Sequence, residues 1–258
     1  MGKKRSNRVG SVVFATNTGL GILAKSFYDA GVFHKAIVCP HSTYETQEGW
    51  YNQEDIMSSE AELLGNIDTL LLFEIANPEN IKDWGIVYRA KEKGIKVVLM
   101  PMYESTPFPL PDVCQPDLWI FPSELDEGYF NSMGITGELV RIPVEAKPRV
   151  RKKVTTFIHN AGSAGSQLND RNGTQLLLDA LPLVASDIRL IFRSRDKEWK
   201  IDDPRVEIHN GDVAYEDLWE EGDIFIFPES YNGLSLPLQE AYAHGLGIIA
   251  GDRFPINT

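Results

Sequence analysis

Cysteine is scarce in this 258-residue chain: Cys39 and Cys114 are the only two. That is too few for a disulfide framework, and both stand in apolar, strand-like stretches where a reduced core thiol is expected. Long apolar runs are missing as well. No stretch approaches the ~18 apolar residues that a membrane span needs, and no secretory apolar region follows the basic opening MGKKRSNR. Those first residues fit the M-G-x-x-x-S pattern of myristoylation but read as a basic tail ahead of the first strand. A soluble, cytoplasmic protein is the expectation. Positive charge is in short supply too, with 25 Lys and Arg against 37 Asp and Glu and a net charge of −12. This excludes an extended nucleic-acid footprint, yet a few local cations and helix N-termini could still hold a small anion. His and Cys are scattered without ligand spacing and no paired-aspartate motif stands out, so no metal site is expected.

What is present is a core-forming composition, 43% apolar and 10% aromatic. Short runs rich in Val, Ile, Leu and Phe alternate with amphipathic segments: VGSVVFAT, HKAIVCP, TLLLFEI, KVVLMPM and DLWIFPS are strand-like in the first part. Such runs lack alternation, as expected of parallel strands covered on both faces. Gly31, Gly65, Gly94 and Gly134 are read as helix ends. The pattern defines one unit over residues 1–146. It is then interrupted by AKPRVRKK, a proline among five basic residues, and 147–153 reads as a linker. It restarts over 154–258 with VTTFIH, IRLIFRS, VEIH, a helix YEDLWEEG and the strand DIFIFP. The fold class is therefore α/β, two doubly wound parallel-sheet units of Rossmann-like build.

In open α/β sheets, ligands gather beyond the carboxyl ends of the strands. That rule selects Gly19 and Gly21, Glu74, Glu104, the polar loop 160–173, Arg193, and the turn at Asn232 with Ser235. Two such sheets facing each other would bring these together on one cleft. TGLGILA places Gly19, Gly21 and Ala24 in the dinucleotide pattern G-x-G-x-x-G/A. A nicotinamide cofactor would also want a carboxylate at the end of the second strand, which here ends Cys39-Pro40-His41. The reading that survives is narrower: Gly19 and Gly21 allow close backbone approach to a ligand, or simply a tight turn. The 160–173 loop is long enough to suggest a binding role; it contributes Asn160 and Gly162, and Arg171 near a helix start suits a phosphate.

The stretch FPESYNGLSLPLQEAYAHGLGIIAGD, 227–252, runs from a strand through a turn into a helix and a further strand. Asn232-Gly233 makes the turn, Ser235 is the expected N-cap, and Pro237 is tolerated in the first turn. Glu240 and His244 lie one turn apart on one face, either as a surface pair or with Glu240 as an acceptor for vicinal ribose hydroxyls. The amides of 233–235, including Gly233, Leu234 and Ser235, would meet an anion or a sugar oxygen.

These residues resemble the signature of GT-B glycosyltransferases of the large retaining family 4. VEIHNGDVAYEDLWEEGD, RNGTQLLLDALPLV and PDLWIFPSELDEGYFNSMGI are similar to further segments of that family. The resemblance implies two facing Rossmann-like domains, the second incomplete, since relatives continue past the strand that here precedes Thr258. It implies that Glu240 is the second glutamate of the E-x7-E motif, on the donor ribose, with Asn232 in place of the first, at the donor sugar. Leu234-Ser235 replace the usual Phe-Gly, and the family's phosphate-binding lysine falls on Asn172, which leaves Arg171 as its substitute. The implied reaction is sugar transfer from a nucleoside-diphosphate sugar to a hydroxyl acceptor, retaining and metal-independent, with no further cofactor. Asn232 and Arg171 would be catalytic and the acceptor would enter near Gly19, Gly21, Glu74 and Glu104. An inverting enzyme would instead use Glu104 as general base. A sugar-nucleotide epimerase of the same fold, or a non-catalytic binding module, are the remaining alternatives.

Overall fold

The computed structural model describes residues 8–17, 19–39, 49–73, 85–103, 109, 110, 112, 115–151, 153–162, 170–195, 198–214, 217–230 and 235–253. The chain divides into two compact units, Met1–Pro143 and Val144–Thr258.

In the first unit, β1 (Val9–Val13), β2 (Lys35–Val38), β3 (Thr69–Phe73), β4 (Lys96–Met100), β5 (Leu118–Phe121) and the short β6 (Glu138–Leu139) form one sheet. Its order is β2-β1-β3-β4-β5-β6 and every pairing is parallel. The helices are α1 (Gly19–Asp29), α2 (Glu60–Asn66), α3 (Gly85–Glu92) and α4 (Glu124–Asn131). Ser59 and Ser123 start α2 and α4 as N-caps, each side chain accepting from the amide three residues on. Leu63, Leu70, Leu72, Val87, Leu99, Phe121 and Phe130 fill the core between these layers. Cys39 is buried; Cys114 lies outside the described residues.

In the second unit, β7 (Thr156–Gly162), β8 (Arg189–Ser194), β9 (Val206–Asn210), β10 (Ile224–Phe227) and β11 (Gly247–Ala250) pair in the order β11-β10-β7-β8-β9, again all parallel. Side chains alternate between faces. Ile158, Ile191, Phe225 and Phe227 pack with Trp219 and with Ala241 of α6 (Leu236–Ala243). On the opposite face, Phe157, Leu190 and Ile226 meet Leu177 and Leu181 of α5 (Thr174–Ala180) and the turn that follows it.

Four helices stop in the same way. At Gly31, Gly94, Gly134 and Gly245 the backbone turns to φ between 71 and 80°. The next amide, that of Val32, Ile95, Ile135 or Leu246, then reaches the carbonyl five residues back. A glycine is the low-cost residue for that left-handed step, and after two of them the apolar residue, Ile95 or Leu246, is buried. Gly65 is different: it lies inside α2, which ends through the extended Ile67. Of the helix expected over 215–222, Tyr215 and Glu216 lie outside the described residues; Asp217 is in a 3-10 turn, and the turn over Leu218–Glu220 sends Trp219 into the core.

The basic stretch expected as a linker is fixed to the second unit. Arg151 donates from Nε to the carbonyl of Gly222 at 2.7 Å and from Nη1 to those of His244 and Gly245 at 3.0 Å. Arg149 binds both the carbonyl and the carboxylate of Glu220. A guanidinium fork is well shaped to collect the orphan carbonyls at the end of α6.

Candidate functional site

Each sheet has one place where the strand order reverses. In the first it lies between β1 and β3, in the second between β7 and β10. Such a reversal opens a crevice at the carboxyl ends because successive connections leave in opposite directions.

In the second unit the crevice is bridged by residues 171–172. The main chain of Arg171 accepts from the Ser230 amide at 2.7 Å, just past β10, and its Nε donates to Glu229 Oε1, also at 2.7 Å. Asn172 turns the other way and donates from Nδ2 to the carbonyl of Ala161, in β7, at 2.7 Å. Glu229 is only 3% exposed and Arg171 28%, so the ion pair sits at the mouth with its acid buried. Gly173 closes the bridge. Its φ is 68°, and a Cβ there would stand 2.3 Å from the Pro228 carbonyl, so the start of α5 lies backbone to backbone against the end of β10.

The N-terminus of α5 was expected to face a phosphate. It is occupied instead: the Asp170 carboxylate accepts from the amides of Thr174 and Gln175, both at 2.7 Å. A carboxylate in that place satisfies two orphan donors and offsets the positive end of the helix. Beneath the crevice, His159 joins three elements. Its Nδ1 lies 3.1 Å from the carbonyl of Ile226 and its Nε2 3.0 Å from Thr174 Oγ1. Burial lowers its pKa to about 4, so the ring is neutral. A carbonyl can only accept, which puts the proton on Nδ1 and leaves Nε2 to accept from the threonine hydroxyl.

Strand β7 continues through Asn160 to Gly162, residues expected to begin the loop, with an irregularity in its pairing to β8 between those two. Asn160 and Arg193 are register partners on adjacent strands and so share a sheet face. Arg193 is buried, and its Nη1 donates to the carbonyl of Leu218. Burial lowers its pKa. Its clearest task is to hold the 217–220 turn, which differs from a purely ligand-facing arginine. Asn160 Oδ1 and Arg193 Nε are both buried without a hydrogen-bond partner among the described residues.

Ser235 adopts a left-handed conformation, φ 46°, and is buried. Its side chain makes no cap bond; its carbonyl accepts from Leu238 and Gln239. A non-glycine residue held there stores roughly 1–3 kcal/mol of strain, in the position where the glycosyltransferase signature has glycine. Glu240 is 3% exposed. The surface Glu240–His244 side-chain pairing is not formed; the His244 ring bonds through Nδ1 to the main-chain carbonyl of Glu240 at 2.8 Å. Glu240 follows Leu236 by one turn and precedes Ala241, which packs on Ile158 and Phe225, so the buried carboxylate shares the sheet face that carries Asn160 and Arg193.

In the first unit, Gly19 and Gly21 open α1 beside the β1–β3 reversal. A Cβ on Gly21 would fall 1.9 Å from the Thr16 carbonyl, while nothing lies within 4 Å of one on Gly19. Gly21 thus has a packing reason of its own, and Gly19 alone has an open face. Glu74, Glu104, Asn232, Gly233 and Leu234 lie outside the described residues. Sequence reasoning missed Glu229, Asp170, His159 and Arg253; a carboxylate directly after a buried strand, as in FIFPE, is the one signal that could have raised Glu229. Among the described residues, no group of three or more His, Cys, Asp and Glu is placed to hold a metal, and no helix is long and apolar enough to cross a membrane.

No protein-family model matches the chain, and no curated protein matches it in sequence. Solved structures do. A structure of Anabaena Alr3699/HepE in complex with UDP and glucose is similar over 95% of this chain and 80% of that one, at 10% identity and a TM-score of 0.66. A glycosyltransferase from Rickettsia africae ESF-5 matches over 95% and 79%, at 13% identity and 0.59. A co-structure of S. aureus MnaA with UDP matches over 95% and 79%, at 10% identity and 0.53. The chain has the GT-B fold, two Rossmann-like parallel α/β units in one polypeptide.

Proposed function

We propose that the chain is a glycosyltransferase that moves a sugar from a nucleoside-diphosphate sugar to a hydroxyl acceptor, with retention and without a metal. The observation that carries this reading is the carboxylate of Glu240, buried on the first turns of α6 at the carboxyl side of a Rossmann-type sheet. A buried acid in that place is suited to accept from the two vicinal hydroxyls of a ribose. The fold supports it, as do the UDP and glucose held by the HepE structure and the UDP held by the MnaA structure.

In this reading Asn160 Oδ1 and Arg193 Nε offer an acceptor and a donor to the nucleoside. Arg171 supplies positive charge for the departing diphosphate, a task of electrostatic preorganisation, and Asn232 contacts the donor sugar. The N-terminus of α5 contributes no free amide at Thr174 or Gln175, because Asp170 holds both.

One observation favours a second reading. Arg171 is paired with Glu229 and Asn172 with the Ala161 carbonyl, so the positions expected to meet a diphosphate are already engaged, as in a module that binds without turnover. A panel of UDP-, GDP- and ADP-sugars, mixed with saccharide and lipid acceptors, separates the two. Release of nucleoside diphosphate together with a product that keeps the donor's anomeric configuration by NMR is expected. An inverted anomer contradicts retention, binding without release selects the module, and absence of any binding overturns both.

A further inference from the structure

We infer that Arg253 is a second cation of the diphosphate seat, completing an Arg171–Glu229–Arg253 array along the carboxyl edge of the second sheet. This rests on the reading of that unit as a nucleotide-sugar site. Neither the sequence pattern nor the likeness to solved structures points to Arg253.

The sheet order places β11, β10 and β7 side by side, and three features leave from their carboxyl ends. Arg253 follows β11, Glu229 follows β10, and the Arg171–Asn172 bridge ties the ends of β10 and β7. Neighbouring strands are about 4.8 Å apart, so one ligand with two phosphate groups spans the row. Arg253 is held at its root: its Nε donates to the main-chain carbonyl of Glu229 at 2.9 Å. That bond uses the inner edge of the guanidinium and leaves the Nη groups to other acceptors. Nη2 is buried and has no hydrogen-bond partner among the described residues.

Charge counting gives the reason. Arg171 and Glu229 offset one another at 2.7 Å, so this pair alone presents little net field to an anion. Glu229 engages Arg253 through its carbonyl, not its carboxylate, and no ion pair to Arg253 is found among the described residues. The array therefore carries two guanidinium groups against one carboxylate. A nucleoside diphosphate brings at least two negative charges, and an anchored guanidinium donates paired, charge-assisted hydrogen bonds to phosphate oxygens. A phosphate oxygen would satisfy Nη2, which has no hydrogen-bond partner among the described residues.

The alternative is that Arg253 only staples the exit of β11 to that of β10. Arg253→Gln separates the two, since an amide still donates to the Glu229 carbonyl but carries no charge. Wild type and variant are titrated calorimetrically with UDP, GDP and ADP at low salt, and by NMR with the matching nucleosides. The expected result is a loss of about tenfold in diphosphate affinity, the size of one charge-assisted contact, with nucleoside affinity unchanged within about twofold. Arg253→Lys, which keeps the charge but not the fork, is expected to lose less diphosphate affinity than Arg253→Gln. Unchanged diphosphate affinity in Arg253→Gln overturns the inference, and so does an equal loss for nucleoside and diphosphate. Should Arg253→Gln fail to fold, a Lys variant that folds and keeps full diphosphate affinity, or loses nucleoside and diphosphate affinity equally, overturns it as well. A wild-type protein that binds none of the three nucleotides takes down the underlying reading instead, a distinguishable outcome.

Discussion

Arg171 and Glu229 stand 58 residues apart in sequence and 2.7 Å apart in space. Their ion pair joins the segment ahead of α5 to the residue that leaves β10, across the point where the strand order of the second sheet reverses. With the acid 3% exposed, removal of the cation leaves a charge that has been taken out of water. Arg171→Ala is expected to lower unfolding free energy by about 2–4 kcal/mol, the lower part of the range for broken buried pairs because the arginine is partly exposed. Glu229→Gln retains an acceptor for Nε and is expected to cost about half as much. Urea denaturation measures both, and equal, negligible losses would show that the pair holds nothing together.

His159 sets a pH dependence. Its folded-state pKa is depressed from 6.5 to about 4, chiefly by burial, so the unfolded chain binds a proton in the window between those values and the folded one does not. Stability from this residue is fully present above pH 6.5 and is lost as pH falls toward 4, by roughly 3 kcal/mol at 1.36 kcal/mol per unit. His159→Gln should be less stable at pH 7 yet should lose much less on acidification from 6.5 to 4. Parallel slopes in wild type and variant, followed by denaturant melts at stepped pH, would contradict the assignment.

Arg151 closes the amino-side end of the second unit by serving the carbonyls of Gly222, His244 and Gly245, and that of Arg149 in its own segment. Arg151→Ala orphans them, with an expected loss of about 2–3 kcal/mol. Arg151→Lys is expected to recover less than half, because an ammonium cannot reproduce the planar fork. A lysine variant as stable as wild type by chemical denaturation would mean that charge alone suffices.

Gly173 combines a positive φ with a carbonyl 2.3 Å from where a Cβ would sit. Gly173→Ala must move the start of α5 away from β10, and roughly 2 kcal/mol of destabilisation is expected, with weakened nucleotide binding because the Arg171–Asn172 bridge moves with it. Gly19→Ala, with open space around it, serves as the neutral control on the same thermal melts.

The parts of the fold legible in the sequence were those fixed by near neighbours. Runs such as TLLLF and IFIF announce strands buried on both faces, and Gly31, Gly94 and Gly134 end helices through bonds spanning at most five residues. What stayed hidden depends on distant partners. Arg149 and Arg151 look like a solvated basic linker until Glu220, Gly222 and His244 are brought beside them. Arg193 reads in sequence only as a ligand-facing cation, with no sign that its Nη1 also holds the carbonyl of Leu218. The start of α5 looks open to a phosphate, and only the left-handed turn at Asp170 reveals that a carboxylate already fills it. Within the site, Glu240 was selected by pattern and lies buried, whereas its neighbour in the motif, Glu229, gained meaning only from the strand order that sets it against Arg171.

The most direct test of ribose capture by Glu240 pairs UDP with its 2′,3′-dideoxy analogue on wild type and on Glu240→Ala, by calorimetry. Loss of the diol should weaken binding to wild type by about 1–3 kcal/mol, and the alanine variant should bind both ligands at that weaker level, so that the two deletions do not add. A wild-type protein indifferent to the diol, or an alanine variant that still prefers UDP, would place the ribose somewhere else.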